Sequence, residues 1–371
     1  MTSFRLACLA SLIPLVAHAT AWSVPASAPS ASASAPKPAA YAPAPKLAAP
    51  PPAPAPAPAA APKPTPATKD QPAASAAAPV KPAAPKPVPP KPTLPKPAPA
   101  KAVAAPVPTD LPSWCKTIAE RLTALPLHQC LNTGLQAGDG RSVRGIPLWY
   151  RDIRPATGQT RLRVLVLGGI HGDEMASVNL VFNWLERSLK SNTAPIHWRV
   201  VPLVNPDGLL RRPATRTNAR GVDLNRNFPT ADWSTHARSY WVSRTGKDPR
   251  RYPGPAAMSE PETRWVQRQL EQFKPNLIVS VHAPYGVLDF DGPPPPPDKL
   301  GNLYLDQVGI YPGSLGNYGG VVQRVPVVTL ELKDARQIAA NEAAAMWTDL
   351  LGWIDRRLIN VAQQGGGIKS P

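Results

Sequence analysis

The sequence is short of cysteine, of long apolar runs and, over its first third, of acid, and each shortage excludes something. Only 3 of its 371 residues are cysteine. A zinc site built from cysteine is disfavoured, because no second Cys or His pair accompanies Cys115 and Cys130. No stretch is apolar enough to supply the roughly 20 residues that a bilayer span needs. A single acid, Asp70, stands in residues 1–108 against ten basic residues, so net +9 of the total +17 sits there. That charge belongs to a tail and says little about a folded domain. No nucleic-acid motif accompanies it, so nucleic acid is not an expected partner.

What is present divides the chain. Met1 to Ala19 carries Arg5, an apolar run from Leu6 to Val16 and Ala17-His18-Ala19, the pattern of a cleaved export signal. Residues 20–108 are Ala, Pro and Lys, with most of the 52 prolines of the chain. Proline at that density removes backbone donors and fixes φ. Too little apolar surface is left to offset the entropy of ordering. A disordered, semi-rigid polyproline spacer is expected, whose lysines give it a possible contact with an anionic cell wall. Residues 109–362 read as one catalytic domain and 363–371 as a flexible tail. With export, Cys8 leaves with the signal, and the remaining pair, Cys115 and Cys130, fits one disulfide. The expected location is the periplasm, with no transmembrane segment after cleavage.

Within the domain, strand and helix patterns alternate. Arg161–Leu167, Trp198–Val204, Leu277–Val281 and Pro326–Leu332 read as strands. Ala176–Leu189, Pro261–Phe273 (with Ser259 as cap) and Asn341–Leu358 read as helices. Near-continuous apolar strands between helices predict an α/β fold: a mixed, mostly parallel central sheet with helices on both faces. Ligands in such sheets gather beyond the carboxyl ends of the strands.

Four groups of residues carry chemistry. His171 and Glu174 follow the first strand at Gly168-Gly169-Ile170-His171-Gly172-Asp173-Glu174, and His282 follows another strand. One His-x-x-Glu pair is a weak signal, equally at home in a surface turn. A third ligand at the same sheet edge makes a set that suits zinc. Glu331 is a carboxylate inside the apolar run Val327–Leu332, which is costly unless it is catalytic or faces solvent on an edge strand. Arg216 and the run Gly221–Phe228, with Asn225 and Arg226, offer groups that hold a carboxylate or an oxyanion. Asn205-Pro206-Asp207-Gly208 reads as a turn.

Together these residues resemble the zinc carboxypeptidase family over roughly residues 145–356. The resemblance implies one Zn2+ per chain on His171, Glu174 and His282. It makes Glu331 the catalytic glutamate and Arg216 the carbonyl-polarising arginine. Asn225 and Arg226 become the grip on a terminal carboxylate. Asn218–Pro229, Gly313–Tyr318, His282-Ala283-Pro284 and Asp289-Phe290-Asp291-Gly292 are most similar to the murein peptide amidase branch. That implies hydrolysis of γ-D-glutamyl-meso-diaminopimelate in a murein peptide, with Asp289 or Asp291 meeting the far amine and Gly316 leaving room. The competing use of both aspartates is to shape the loop before Pro293–Pro297. Neither Tyr304 nor Tyr311 aligns with the mobile tyrosine of digestive members. The alternatives are a general peptide carboxypeptidase, an N-acyl amino acid deacylase of the aspartoacylase or succinylglutamate desuccinylase type, and a non-catalytic wall-binding protein.

Overall fold

The computed structural model describes residues 107–190 and 192–360. The expected export signal, nearly all of the spacer and the tail lie outside the described residues.

The chain opens with two short helices, α1 (Leu111–Ala119) and α2 (Leu127–Leu131). Asp110 caps α1 by accepting from the Ser113 N–H at 2.8 Å. Cys115 and Cys130 are joined by a disulfide between them. Seven strands form one sheet: β1 (Gln136–Arg141), β2 (Pro147–Ile153), β3 (Leu162–Leu167), β4 (Ile196–Val201), β5 (Leu277–His282), β6 (Val287–Asp291) and β9 (Val327–Glu331). Their order is β1-β2-β4-β3-β5-β9-β6. The centre, β4-β3-β5-β9, is parallel, and β1, β2 and β6 join by antiparallel pairing. A separate ribbon pairs β7 (Lys299–Leu300) with β8 (Leu303–Tyr304), where Tyr304 is exposed.

The sheet is covered on both faces, as the apolar strands require. Val164 and Val166 of β3 point into one core, with α3 (Met175–Asn183) and α7 (Ala340–Ile354). Leu165 and Leu167 point into the other, with α6 (Pro261–Phe273). Alternation along a buried strand sends successive side chains to opposite faces. Among the described residues, no helix is long and apolar enough to cross a membrane.

Several expected boundaries shift. The helix expected over Ala176–Leu189 is α3 continued by a wider π-type turn, Trp184–Ser188. The helix expected over Asn341–Leu358 is likewise α7 plus a π-type turn, Asp355–Ile359. α6 starts at Pro261 with Glu260, not Ser259, at the cap position and no side-chain cap. Proline at the first helical position, with its φ already fixed, sets that start. The strand expected over Trp198–Val204 leaves the sheet at Val201. Beyond it, Val204 N–H and Asn205 N–H bond the carbonyls of Gly168 and Gly169, which turns the chain toward the carboxyl edge. Asp207 lies not in a bare turn but in the five-residue helix α4 (Pro206–Leu210). The remaining helix, α5 (Arg238–Thr245), is exposed.

A buried polar network then holds the loop that follows α4. Asp207 accepts from Ser142 Oγ and Arg144 N–H in the β1–β2 turn. Glu262 accepts from Val143 N–H at 2.9 Å and from Asn218 Nδ2 at 3.2 Å, and Asn218 also donates to Glu260. Asn218 Oδ1 in turn accepts from the Arg220 and Val222 N–H groups. Burial, with the Asp207 charge adding to it, pushes the Glu262 carboxyl up to about 7 from 4.5. Between those pH values the folded chain keeps a proton that the unfolded chain releases. The contribution of Glu262 to stability should therefore be full below about pH 4.5 and be lost as pH rises through 7, by up to about 3 kcal/mol. Denaturant unfolding measured from pH 4.5 to 8 checks this. Glu262→Gln should flatten the slope, and an unchanged slope refutes the assignment.

Candidate active site

The carboxyl ends of β3, β5 and β9 lie side by side, because these strands are parallel neighbours in the order β3-β5-β9. His171 and Glu174 stand in the turn after β3. His282 ends β5 and Glu331 ends β9, directly opposite each other in register. Gly169 takes φ +59°, and a side chain there would meet Leu203 and Val178. The turn thus needs glycine to carry His171 back across the strand ends.

His171, Glu174 and His282 converge. His171 Nδ1 lies 2.8 Å from Glu174 Oε1, His282 Nδ1 lies 3.0 Å from Glu174 Oε2, and the two Nδ1 atoms are 3.1 Å apart. All three residues are buried. They are a group able to hold a metal ion, with one ligand atom of each within 4.8 Å of the others. The far ring nitrogens support this. His171 Nε2 lies 3.0 Å from Asp223 Oδ1, and His282 Nε2 lies 2.9 Å from Ser280 Oγ. A proton on each Nε2 satisfies those acceptors and leaves both Nδ1 lone pairs facing the cluster, as in metal-ligating histidines. Two lone pairs and a carboxylate turned on one point repel one another unless a cation lies between them, so this donor set fits zinc.

Glu331 is buried between β5 and β6, so it does not face solvent on an edge strand. Its Oε2 has no hydrogen-bond partner. Burial raises its pKa, partly offset by His282. A buried carboxylate with a free oxygen beside the ligand cluster can accept a proton.

Arg216 is half-buried against Asp223 and Glu174, through Nε to Asp223 Oδ2 at 2.9 Å and Nη1 to Glu174 Oε1 at 3.2 Å. Asn225 Oδ1 accepts from Leu315 N–H at 2.7 Å. Arg226 lies over the Tyr311 ring at 4.4 Å, and its Nη1 donates to Asn225 O. The Tyr311 hydroxyl donates to Val308 O. One cleft brings together His171, Arg216, Asn225, Arg226, Asp289, Asp291, Gly316 and Glu331, with Arg251, Tyr285 and Tyr311 also lining it.

Asp289 and Asp291 lie on strand β6 and line the cleft. Burial and the charge of Asp289 push the Asp291 carboxyl up to about 7. Burial raises Asp289 as well. Neither makes an ion pair among the described residues. A methyl group on Gly316 would overlap the Asp291 carboxylate, so Gly316 leaves room for that aspartate. Three participants carried no sequence signal of their own. Asp223 orients His171 and Arg216, Ser280 orients His282, and Arg251 enters from a loop. Asp223 and Ser280 act through other residues, which only the fold brings near.

A zinc carboxypeptidase family model matches residues 137–290. The chain is 35% identical over 201 residues to murein peptide amidase A of Vibrio campbellii, covering 52% of this chain and 77% of that protein. The chain belongs to the zinc carboxypeptidase family. As a member of this family of peptide hydrolases, it is also 38% identical over 153 residues to murein peptide amidase A of Escherichia coli K12, covering 40% of this chain but 60% of that protein. The crystal structure of murein-tripeptide amidase from Escherichia coli O157 is 29% identical and covers 59% of this chain and 92% of that one, with a TM-score of 0.43.

Proposed function

We propose that this zinc carboxypeptidase hydrolyses the amide between γ-D-glutamate and meso-diaminopimelate in murein peptides, and that it does so after export to the periplasm. The observation that carries the substrate reading is the pairing of opposite charges in one cleft. Arg226 and Asn225 suit a terminal carboxylate. Asp289, buried, and Asp291, partly buried, make no ion pair among the described residues and suit an ammonium group, which would favour their ionised forms. Diaminopimelate carries both groups at once. Export rests on the sequence of residues 1–19, and wall contact on the basic spacer.

His171, Glu174 and His282 would hold a zinc ion, which would supply the Lewis acidity that activates water and polarises a carbonyl. The residues of the chain do the rest. Glu331 takes the proton of the attacking water through its free oxygen. It then hands that proton to the leaving amine. Arg216, once released from Glu174, stabilises the oxyanion. Asn225 and Arg226 fix the leaving residue by its carboxylate, so the reacting carbonyl is presented to Glu331.

Product analysis tests the substrate. Murein tripeptide should release free diaminopimelate, and ordinary dipeptides should react far more slowly. Hydrolysis of the dipeptides alone would sink the cell-wall reading.

A further inference from the structure

The cleft holds a third guanidinium that the reaction above leaves without a task. Arg251 ends the short turn Pro249–Arg251 and lines the cleft with Arg216 and Arg226. Its charge reaches Arg226 and Tyr311. Its protein contacts are loose: Nη2 lies 3.4 Å from the Tyr285 hydroxyl, and Nε lies 3.6 Å from Asp248 Oδ2. The side chain is 37% exposed, so part of the guanidinium is open to the cleft or solvent. Tyr285 is 56% exposed and stands three residues beyond His282. The neighbouring Arg250 pairs with Asp173 at 2.7 Å, and this anchors the turn beside the metal-ligand loop.

Asn225, Arg226, Gly316 and Asp291 are the groups assigned above to the leaving residue. Arg251 and Tyr285 are more exposed and adjoin the metal-ligand segments, Arg251 through the Arg250–Asp173 pair and Tyr285 through His282. An acyl chain that leaves the cleft over those segments passes both. A γ-linked glutamate has a free α-carboxylate on that acyl part, and an α-linked peptide does not.

We infer that Arg251, assisted by the Tyr285 hydroxyl, is a specificity-determining residue that binds the α-carboxylate of the γ-linked glutamate on the acyl side of the scissile amide. The inference rests on the substrate reading given above. A guanidinium takes a carboxylate bidentately, and the hydroxyl adds a third donor. The site therefore selects for the γ linkage itself, because only that linkage leaves a carboxylate at this point.

The test uses two peptides that differ at one group: γ-D-glutamyl-diaminopimelate, and the same peptide with the α-carboxylate converted to a carboxamide. The wild-type enzyme should prefer the carboxylate by about tenfold or more in kcat/KM, the size of one charge-assisted contact. In Arg251→Gln that preference should fall close to one, and Tyr285→Phe should reduce it by a smaller factor. Equal rates on both peptides in the wild type, or a preference that survives Arg251→Gln, overturns the role of Arg251 alone. A wild-type enzyme that cleaves neither peptide but cleaves ordinary dipeptides overturns the murein reading, and the Arg251 role falls with it.

Discussion

Replacing Glu331 with Gln should lower kcat/KM by roughly 10²–10⁴-fold, the range for a positioned general base, while bound zinc stays near one per chain. The amide keeps the size of the carboxylate and removes its ability to take a proton. Glu331 is not part of the candidate ligand group. His171, Glu174 and His282 form their own cluster, and Glu331 Oε2 is buried with no partner. Substitution therefore separates two readings of the same carboxylate. If Glu331 were only a structural group, its loss would appear as a lower Tm with turnover preserved. If it is the base, turnover falls and Tm holds or rises, since a buried uncompensated carboxylate costs stability. Metal content, Tm and kcat/KM on one preparation decide it. Near wild-type turnover with zinc bound would falsify the assignment.

Glu331 was legible in the sequence for the same reason that it matters. A carboxylate in Val327–Leu332 breaks an apolar run, and a burial cost of that size needs a cause. His171, Glu174 and His282 were legible as strand-end residues because parallel strands put their carboxyl ends on one edge. The antiparallel part of the sheet was not. β1 reads Gln-Ala-Gly-Asp-Gly-Arg, mostly exposed and without alternation, and its pairing with β2 comes from tertiary contact rather than pattern. β6 carries two acids in five residues, which reads as loop until β9 pairs with it. The same limit hid Asp223. Its sequence neighbourhood shows a polar turn, and its partners lie 52 and 7 residues away. Arg251 sits in a run of basic loop residues, where no periodicity separates the one that lines the cleft from those that do not.

Replacing Asp223 with Ala should cost about 3–5 kcal/mol of stability and weaken zinc binding by roughly 10–100-fold. Asp223 is fully buried and accepts three hydrogen bonds: from His171 Nε2 at 3.0 Å, Arg216 Nε at 2.9 Å and Asn225 N–H at 3.0 Å. Burial pushes its carboxyl up, but Arg216 and His171 hold it well below the usual range, so the carboxylate stays ionised. One side chain thus fixes a metal ligand, the arginine for the oxyanion and the start of the Asn225-Arg226 pair. Truncation leaves the half-buried Arg216 guanidinium short of a counter-charge and frees the His171 ring to rotate. Asp223→Asn should fall between wild type and Asp223→Ala. Its single carbonyl oxygen can accept from one partner, while its amide faces the other donor. The decisive comparison is activity at saturating zinc. If Asp223 acted only by holding His171, excess metal would restore kcat. Because it also holds Arg216, kcat should remain depressed when the site is full. Full rescue by zinc would confine Asp223 to the metal and leave the placement of Arg216 to Glu174 alone.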